Sequence, residues 1–182
     1  MKIVGICGEP ATGKSTLMRA LLGRMDGEEQ TWHPEKWGTL EYLQMGDFYV
    51  LGKYDEHPFD GTDRLSMAVI NDAEAFLLKL IGTDAVILFE GDRLYCDRFI
   101  KFIVRNSQFM LIELVNSATE SNQRRKERAG TGINQSETFL KSRRTKYRNL
   151  RTKFPFIRRA LNCNLSDQAT VLSTILDFIA PF

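Results

Sequence analysis

Short apolar runs and amphipathic stretches alternate along the chain. Residues 3–7, 85–89 and 109–115 are almost uniformly apolar, which is typical of strands covered on both faces of a sheet. Between two of these runs, one helical face carries apolar residues at Leu65, Val69, Ala73, Phe76, Leu77 and Leu80. Strands that alternate with helices predict an α/β fold, a mostly parallel sheet with helices on both faces.

Turn and capping signals predict the elements between these runs. The β-rich runs 36–44 and 48–53 flank Gly46-Asp47, a type II′ turn signal, so we expect a β-hairpin insertion over about 36–53. Thr62 or Asp63 is predicted to cap the amphipathic helix that follows.

The second half of the chain is predicted in the same way. Residues 117–120, Ser-Ala-Thr-Glu, form a capping box that opens a helix. Residues 134–153 are helical in pattern, 156–163 give the weakest strand prediction, and a last helix is expected from Ser166.

The composition is that of a single globular domain over residues 1–182, with 43% apolar and 26% charged residues. No apolar run approaches the roughly 20 residues that span a bilayer, so we expect no membrane contact. The first strand begins at residue 2, which leaves no room for a signal peptide. Cys7, Cys96 and Cys163 are few and far apart, which favours neither disulfides nor zinc. We expect a cytoplasmic protein, in the host cytoplasm if the chain is viral.

Positive charge is concentrated in one segment. Residues 124–159 hold 13 of the 25 lysines and arginines and two acids, a local net charge of +11, whereas the rest of the chain carries −9. Such a run is often a solvated helix face, but beside a phosphate site it favours contact with a polyanion. A polymeric phosphate backbone is therefore an expected partner of the segment 124–159.

The first apolar run leads directly into a phosphate-binding motif. Residues 8–15 match G-x-x-x-x-G-K-[ST], whose backbone N–H groups and following helix cradle phosphate oxygens. Lys14 is expected to reach the β- and γ-phosphates, and the Ser15 hydroxyl to ligate Mg²⁺. The predicted nucleotide-binding residues are Gly8, Glu9, Pro10, Ala11, Thr12, Gly13, Lys14, Ser15 and Thr16. ATP and Mg²⁺ are the expected cofactors, with GTP not distinguished from ATP.

Two carboxylates follow the second apolar run, at the same edge of the sheet as the loop. Glu90 is predicted near the metal and Asp92 near the acceptor, where a carboxylate accepts the proton of an attacking hydroxyl, although the reverse order is possible. Asp63 is a third candidate base. The chain lacks the Asn-Lys-x-Asp reader of GTPases, and its size and its Glu-Gly-Asp strand ending favour a small kinase over a motor or transporter ATPase.

A basic lid is expected over about 124–150. Arg124 and Arg128 share a helix face and would neutralise charge on the transferred phosphoryl group, with Gly130 and Gly132 at a flexible tip. Lys141, Arg144 and Arg148 share a face on the next helix, which is more charge than one nucleotide needs.

These motifs together resemble the small phage-encoded P-loop kinases, in particular the 5-hydroxymethyluracil DNA kinases. The resemblance covers the whole chain and rests on residues 8–15, 49–54, 61–66 and 89–93. It implies that the acceptor is the 5-hydroxymethyl group of that base in phage DNA, with Asp63, Arg64, Asp92 and Arg93 beside it. The apolar strand that ends in Glu-Gly is also similar to that of uridine kinases.

Two other functions fit the same motifs. A free nucleoside or nucleoside monophosphate kinase would also carry a basic lid, and an ATP-dependent nucleic-acid-binding protein would need no catalysis. The aromatic residues around the hairpin are either packed in the sheet or form a platform that stacks a base: Trp32, Trp37, Tyr42, Phe48, Tyr49 and Tyr54. Oligomeric state is not predicted.

Overall fold

The computed structural model describes residues 1–25, 31–55, 60–129 and 136–180. Seven strands lie within these ranges: β1 (Lys2–Gly8), β2 (His33–Trp37), β3 (Leu40–Met45), β4 (Phe48–Leu51), β5 (Val86–Glu90), β6 (Gln108–Val115) and β7 (Arg158–Leu161). The helices of the same ranges are α1 (Lys14–Met25), α2 (Val69–Leu78), α3 (Asp97–Asn106), α4 (Ala118–Ala129), α5 (Glu137–Lys153) and α6 (Leu165–Ile179), with a 3₁₀ helix at Thr62–Arg64. No helix in the described ranges is both long and apolar enough to cross a bilayer.

All seven strands form one sheet in the order β2-β3-β4-β5-β1-β6-β7. β1 is central and pairs in parallel with β5 and β6, while β4 and β7 extend the parallel region on either side. β3 is antiparallel to both of its neighbours, β2 and β4, so it runs in the direction opposite to the other six strands. The predicted α/β fold with a mostly parallel sheet is confirmed. The carboxyl ends of β4, β5, β1, β6 and β7 therefore meet at one edge, where such sheets bind ligands.

Two apolar cores cover the faces of the sheet, which explains the uniformly apolar strands. Along β1, Ile3 and Cys7 face the core that is completed by α2, α3 and α5, whereas Val4 and Ile6 face the core completed by α1 and α6. Because successive side chains of a strand point to opposite faces, a strand between two cores needs apolar residues at every position.

The antiparallel part of the sheet is a three-stranded meander. The predicted Gly46-Asp47 turn is present between β3 and β4, and Gly46 has a φ of +55°, the sign that a type II′ turn requires. The prediction of one strand over 36–44 is wrong, because the chain turns at Gly38-Thr39 and pairs Trp37 with Leu40. β4 pairs in parallel with β5, so the hairpin is part of the main sheet.

The amphipathic helix begins later than predicted. α2 starts at Val69, and Thr62 and Asp63 lie in the 3₁₀ helix instead of capping α2. Both side chains form tertiary hydrogen bonds: Thr62 Oγ1 donates to the Glu90 carbonyl at 2.8 Å, and Asp63 Oδ1 accepts from the backbone N–H of Asp92 at 2.6 Å. These bonds fix the segment that precedes α2 against the end of β5.

The central strand has no room for a side chain at Gly5. A Cβ at this position would lie 2.5 Å from Cζ of Phe89 and 2.8 Å from Cδ2 of Leu111. We expect Gly5→Ala to lower the free energy of unfolding by about 1–3 kcal/mol through overpacking, as measured by urea denaturation.

The matched control is Gly23→Ala on α1, where no atom of the described residues other than the adjoining backbone of the helix lies within 4 Å of the added Cβ. This substitution should raise the free energy of unfolding by about 0.5–1 kcal/mol through helix propensity. Equal effects of the two substitutions would contradict the packing of β1 between β5 and β6.

Candidate active site

The phosphate-binding motif forms a tight loop between β1 and α1. A Cβ at Gly8 would lie 2.5 Å from the Leu114 carbonyl oxygen, and one at Gly13 would lie 2.5 Å from Nδ2 of Asn162. Thr12 Oγ1 donates to the Glu9 carbonyl at 2.8 Å and closes the turn. The two glycines are therefore required by close approach of the neighbouring strands, and the loop opens toward the carboxyl edge of the sheet.

Two asparagines hold the loop from outside the motif. Asn116 Nδ2 donates to the Ala11 carbonyl at 3.1 Å, and Asn162 Nδ2 donates to the Thr12 carbonyl at 2.7 Å. Each asparagine directly follows a strand, β6 or β7, at the edge that carries the loop. Sequence reasoning missed both residues: Asn162 lies inside the predicted strand 156–163, and the position of Asn116 directly after the apolar run 109–115 was the only sign that it lies at the ligand-binding edge.

Lys14 lies over the loop. Its Nζ donates to the carbonyls of Gly8 and Glu9 at 3.1 and 3.3 Å. The ammonium group is thus held above the concave side of the loop by two neutral acceptors. A bound phosphate would offer it stronger, charge-assisted hydrogen bonds.

Glu90 joins the end of β5 to the loop. Ser15 Oγ donates to Glu90 Oε1 at 2.8 Å, and the glutamate side chain is buried. Burial raises the pKa of Glu90 from 4.5 to about 7, against the opposing effects of Lys14 and the Ser15 hydrogen bond. The structure thus brings the two predicted metal ligands, Ser15 and Glu90, into direct contact.

The side chains beside the loop fit Mg²⁺, which needs few protein ligands. Within the described ranges, no group of three or more histidine, cysteine, aspartate or glutamate side chains is placed to hold a metal ion. Mg²⁺ keeps several waters and commonly takes one or two protein oxygens together with substrate phosphates. A hydroxyl and one carboxylate beside a phosphate loop meet that requirement.

Asp92 is engaged by α5. Its Oδ1 accepts from Lys146 Nζ at 2.8 Å and from the Tyr147 hydroxyl at 2.7 Å, and its Oδ2 pairs with Arg143. Burial lowers the pKa of Lys146 to about 8, and the nearby Arg143 adds to the shift. This set of contacts, the Asp92 clamp, fastens α5 to the end of β5.

Asp63 lies beside the Asp92 clamp with one carboxylate oxygen uncommitted. Its Oδ1 accepts the Asp92 N–H, no bond to Oδ2 forms within the described residues, and the side chain is exposed. Arg93 Nη2 donates to the Asp63 carbonyl at 3.2 Å, so these two predicted acceptor residues are together. Arg64 instead turns to Asp55, at 2.5 Å.

Arg124 reaches the phosphate loop from α4. Its Nη1 lies 3.2 Å from the Cβ position at Gly13, while Nε pairs with Glu120 at 2.5 Å and Nη2 donates to the Cys163 carbonyl at 3.1 Å. Only half of the predicted capping box forms, because Ser117 Oγ caps the Glu120 N–H but the Glu120 carboxylate binds Arg124.

Arg124 also borders a cavity of about 560 Å³ on the outer side of the loop. The cavity is lined further by Ala11, Gly13, Thr16, Glu127, Asn162, Asn164, Leu165 and Gln168. Its volume is in the range that holds a nucleotide. Arg128 follows in the last turn of α4, but its side chain, like Gly130 and Gly132, lies outside the described part of the chain.

A family model for P-loop nucleotide kinases, P-loop Nucleotide Kinase3, matches residues 1–166. The chain belongs to this family. A search among curated proteins finds no match. Membership in a nucleotide kinase family indicates ATP-dependent phosphotransfer, which is the chemistry that the loop, the buried carboxylate and Arg124 suit.

Two aromatic residues of the meander pack against α2 in this kinase fold. Tyr42 and Tyr49 lie 4.7 and 5.6 Å from the Phe76 ring, which favours sheet packing over a base-stacking platform for these two rings. Trp37 lies 6.3 Å from Phe76 but is exposed, with Lys79 Nζ 3.5 Å from its ring centroid. Tyr54 is placed differently: burial raises its pKa well above the ordinary value, with contributions from nearby Glu90 and Asp60, and its hydroxyl has no hydrogen-bond partner among the described residues.

The raised pKa of Glu90 makes stability depend on pH. The folded state favours the protonated carboxyl, so its stabilising effect is complete below pH 4.5 and is lost as pH rises to about 7. Glu90→Gln removes this pH-dependent loss. The free energy of unfolding of the variant, relative to that of the wild type, should therefore rise by on the order of 3 kcal/mol from pH 5 to pH 8. Urea unfolding without nucleotide or metal measures it.

Glu35→Gln is the control, because this glutamate is exposed on β2. Its effect on the free energy of unfolding should be the same at both pH values. If Glu90→Gln also behaves identically at pH 5 and pH 8, the buried carboxylate at the end of β5 is wrongly assigned.

Proposed function

We propose that the protein transfers the γ-phosphate of ATP to a hydroxyl group of a nucleotide-type acceptor. The observation that carries this proposal is the 2.8 Å contact between Ser15 and Glu90, with Asp92 two residues after Glu90 and Asp63 hydrogen-bonded to the backbone N–H of Asp92. A phosphate loop, a pair of side chains suited to a metal ion and a second set of acids thus lie at one edge. A protein that only bound ATP would not need the second set.

The donor half of the site lies between the loop and α4. The triphosphate would bind the loop N–H groups, and Lys14 would exchange its two carbonyl partners for phosphate oxygens. The base would occupy the cavity beside Arg124 and Asn162. Ser15 and Glu90 would hold Mg²⁺, which supplies charge stabilisation to the phosphoryl oxygens when it is bound.

The acceptor half lies between the 3₁₀ helix and the end of β5. Asp63 accepts the acceptor's hydroxyl proton, the hydroxyl oxygen forms a bond to the γ-phosphorus, and the bond from that phosphorus to the β-γ bridging oxygen breaks to release ADP. Asp63 suits this role better than Asp92, because the Asp92 carboxylate already accepts from the three donors of the Asp92 clamp. Asp92 then positions α5, and Arg93 orients the segment that carries Asp63.

The acceptor that we propose is the 5-hydroxymethyl group of 5-hydroxymethyluracil in phage DNA. The resemblance of the sequence to kinases of that base supports it, as does the net charge of +11 over residues 124–159. A base within a duplex must be extruded before it can reach a phosphate loop, and the basic segment would hold the backbone during that step.

A free nucleoside or nucleotide acceptor is the second candidate. The family match favours it, because the matching family is described as nucleotide kinases. The Asp63 and Arg93 side of the edge would suit a free nucleotide as well as a base in DNA.

The two candidates are separated by an acceptor screen with radiolabelled ATP and Mg²⁺. We expect label in DNA that contains 5-hydroxymethyluracil, and none in unmodified DNA or in nucleoside monophosphates. Lys14→Ala should lose at least about 100-fold in rate, by analogy with removal of one transition-state donor. Label in free nucleosides or nucleoside monophosphates alone would establish the second candidate, and absence of transfer to any acceptor would refute phosphotransfer.

The roles of the two aspartates predict different consequences of isosteric substitution. Asp63→Asn should lower kcat by about 10²- to 10⁴-fold, while the fold is retained. Asp92→Asn should instead lower the free energy of unfolding by roughly 1–3 kcal/mol, because Arg143 and Lys146 lose their counter-charge. Denaturant unfolding and steady-state kinetics of both variants decide the assignment. A stable Asp92→Asn protein without turnover, beside an active Asp63→Asn protein, would reverse it.

A further inference from the structure

A large basic cleft separates α4 from α5. The cleft has a volume of about 740 Å³, and its floor is formed by Glu9, Thr12 and residues 113–116 of the sheet edge. Six basic side chains line it: Arg125, Lys141, Arg144, Arg148, Arg151 and Arg159. Pockets for small ligands are lined mainly by apolar and aromatic groups, so this lining indicates a charged occupant.

The basic cleft adjoins the phosphate loop at Glu9 and Thr12, but Ser15, Glu90, Asp63 and Asp92 are not among its lining residues. Arg143, Lys146 and Tyr147 face Asp92 from one side of α5, whereas Arg144, Arg148 and Arg151 line the cleft from another side. The cavity beside Arg124 shares no lining residue with the cleft among the described residues. α5 therefore presents one basic surface to the acceptor half and a separate one to the cleft.

The positive charge of the basic cleft exceeds its internal negative charge. Arg144 pairs with Glu9 at 3.0 Å, and Arg151 pairs with the buried Glu113. The remaining four cations, Arg125, Lys141, Arg148 and Arg159, form no ion pair within the described residues. Glu137 is the third acid of the lining and does not balance them.

Arg125 gives independent evidence that the cleft suits an anion. Its Nη2 donates to Asn122 Oδ1 at 2.6 Å, but its Nη1 is buried and has no hydrogen-bond partner among the described residues. An unsatisfied donor on a charged group is costly, and an anionic oxygen in the cleft would satisfy it.

We propose that the basic cleft binds the phosphodiester backbone of a nucleic-acid strand. From Lys141 to Arg151 the cleft side of α5 extends about 15 Å along the helix axis. A strand of B-form DNA carries a phosphate every ~3.4 Å of axis, so this length matches about four phosphates. One free phosphate would leave most of the unpaired cations unused. The choice of nucleic acid over a small polyphosphate rests on the proposed function, in which the acceptor is a base in DNA.

The test is the salt dependence of binding to a fluorescent single-stranded oligonucleotide of 20 or so nucleotides, followed by anisotropy. Each phosphate contact to a single strand contributes about −0.7 to the slope of log K against log[salt]. Arg148→Gln combined with Arg159→Gln should therefore flatten the slope by about 1.4, which is a loss of affinity of about 25-fold at ~0.1 M salt. Both residues are exposed, so the double variant is expected to fold, which thermal unfolding checks.

The control combines Arg24→Gln with Arg105→Gln, which removes the same charge from exposed positions on α1 and α3. The control should retain the wild-type slope. Equal slopes for the two double variants would overturn the proposal, as would a cleft variant that loses affinity for inorganic tripolyphosphate but not for the oligonucleotide. Transfer of label by the wild-type protein is scored separately. If the cleft variant flattens the slope but the wild type transfers no phosphate, the proposed function is refuted and binding of a phosphodiester backbone in the cleft stands. If the wild type transfers phosphate but the cleft variant keeps the wild-type slope, only the binding in the cleft is refuted.

Discussion

The contact between Ser15 and Glu90 is the constraint on which the rest of the site depends. It joins the start of α1 to the end of β5 and keeps a carboxylate inside the protein, where burial raises its pKa to about 7. The same residue accepts from Thr62 through its backbone carbonyl, which fixes the 3₁₀ helix and thereby Asp63. A single residue at the end of β5 thus sets the positions of both the donor half and the acceptor half that we propose for the site.

The Asp92 clamp extends this order to α5. Because Arg143, Lys146 and Tyr147 are drawn to Asp92, the remaining basic residues of α5 must point elsewhere, and the neighbouring α4 leaves them a cleft. One carboxylate therefore fixes one side of the helix. The helical repeat then decides which cations face Asp92 and which face the basic cleft.

Much of the fold could be predicted because its signals are local. Uniformly apolar runs mark β1, β5 and β6, and the spacing of the phosphate-binding motif marks the turn from β1 into α1. The start of α2 could not be predicted. Thr62 and Asp63 are of residue types that commonly cap helices, but here their side chains bond to residues 28 and 29 positions further along the chain. The contacts of Asn116 and Asn162 with the loop span 105 and 150 positions, beyond the reach of any local pattern.

The charge asymmetry of the sequence acquires a physical meaning at this sheet edge. Much of the excess positive charge of the basic segment is neutralised by acids on other elements, as in the pairs of Arg144 with Glu9 and of Arg151 with Glu113. These pairs dock α5 on the phosphate loop and on β6, so they are part of the fold rather than available to a ligand. Three of the cations that remain, Lys141, Arg148 and Arg159, line the basic cleft with Arg125, whose buried Nη1 has no hydrogen-bond partner in the described part of the chain. Composition alone shows the excess, but only the distribution of partners shows where an external anion would lower the energy of the folded chain.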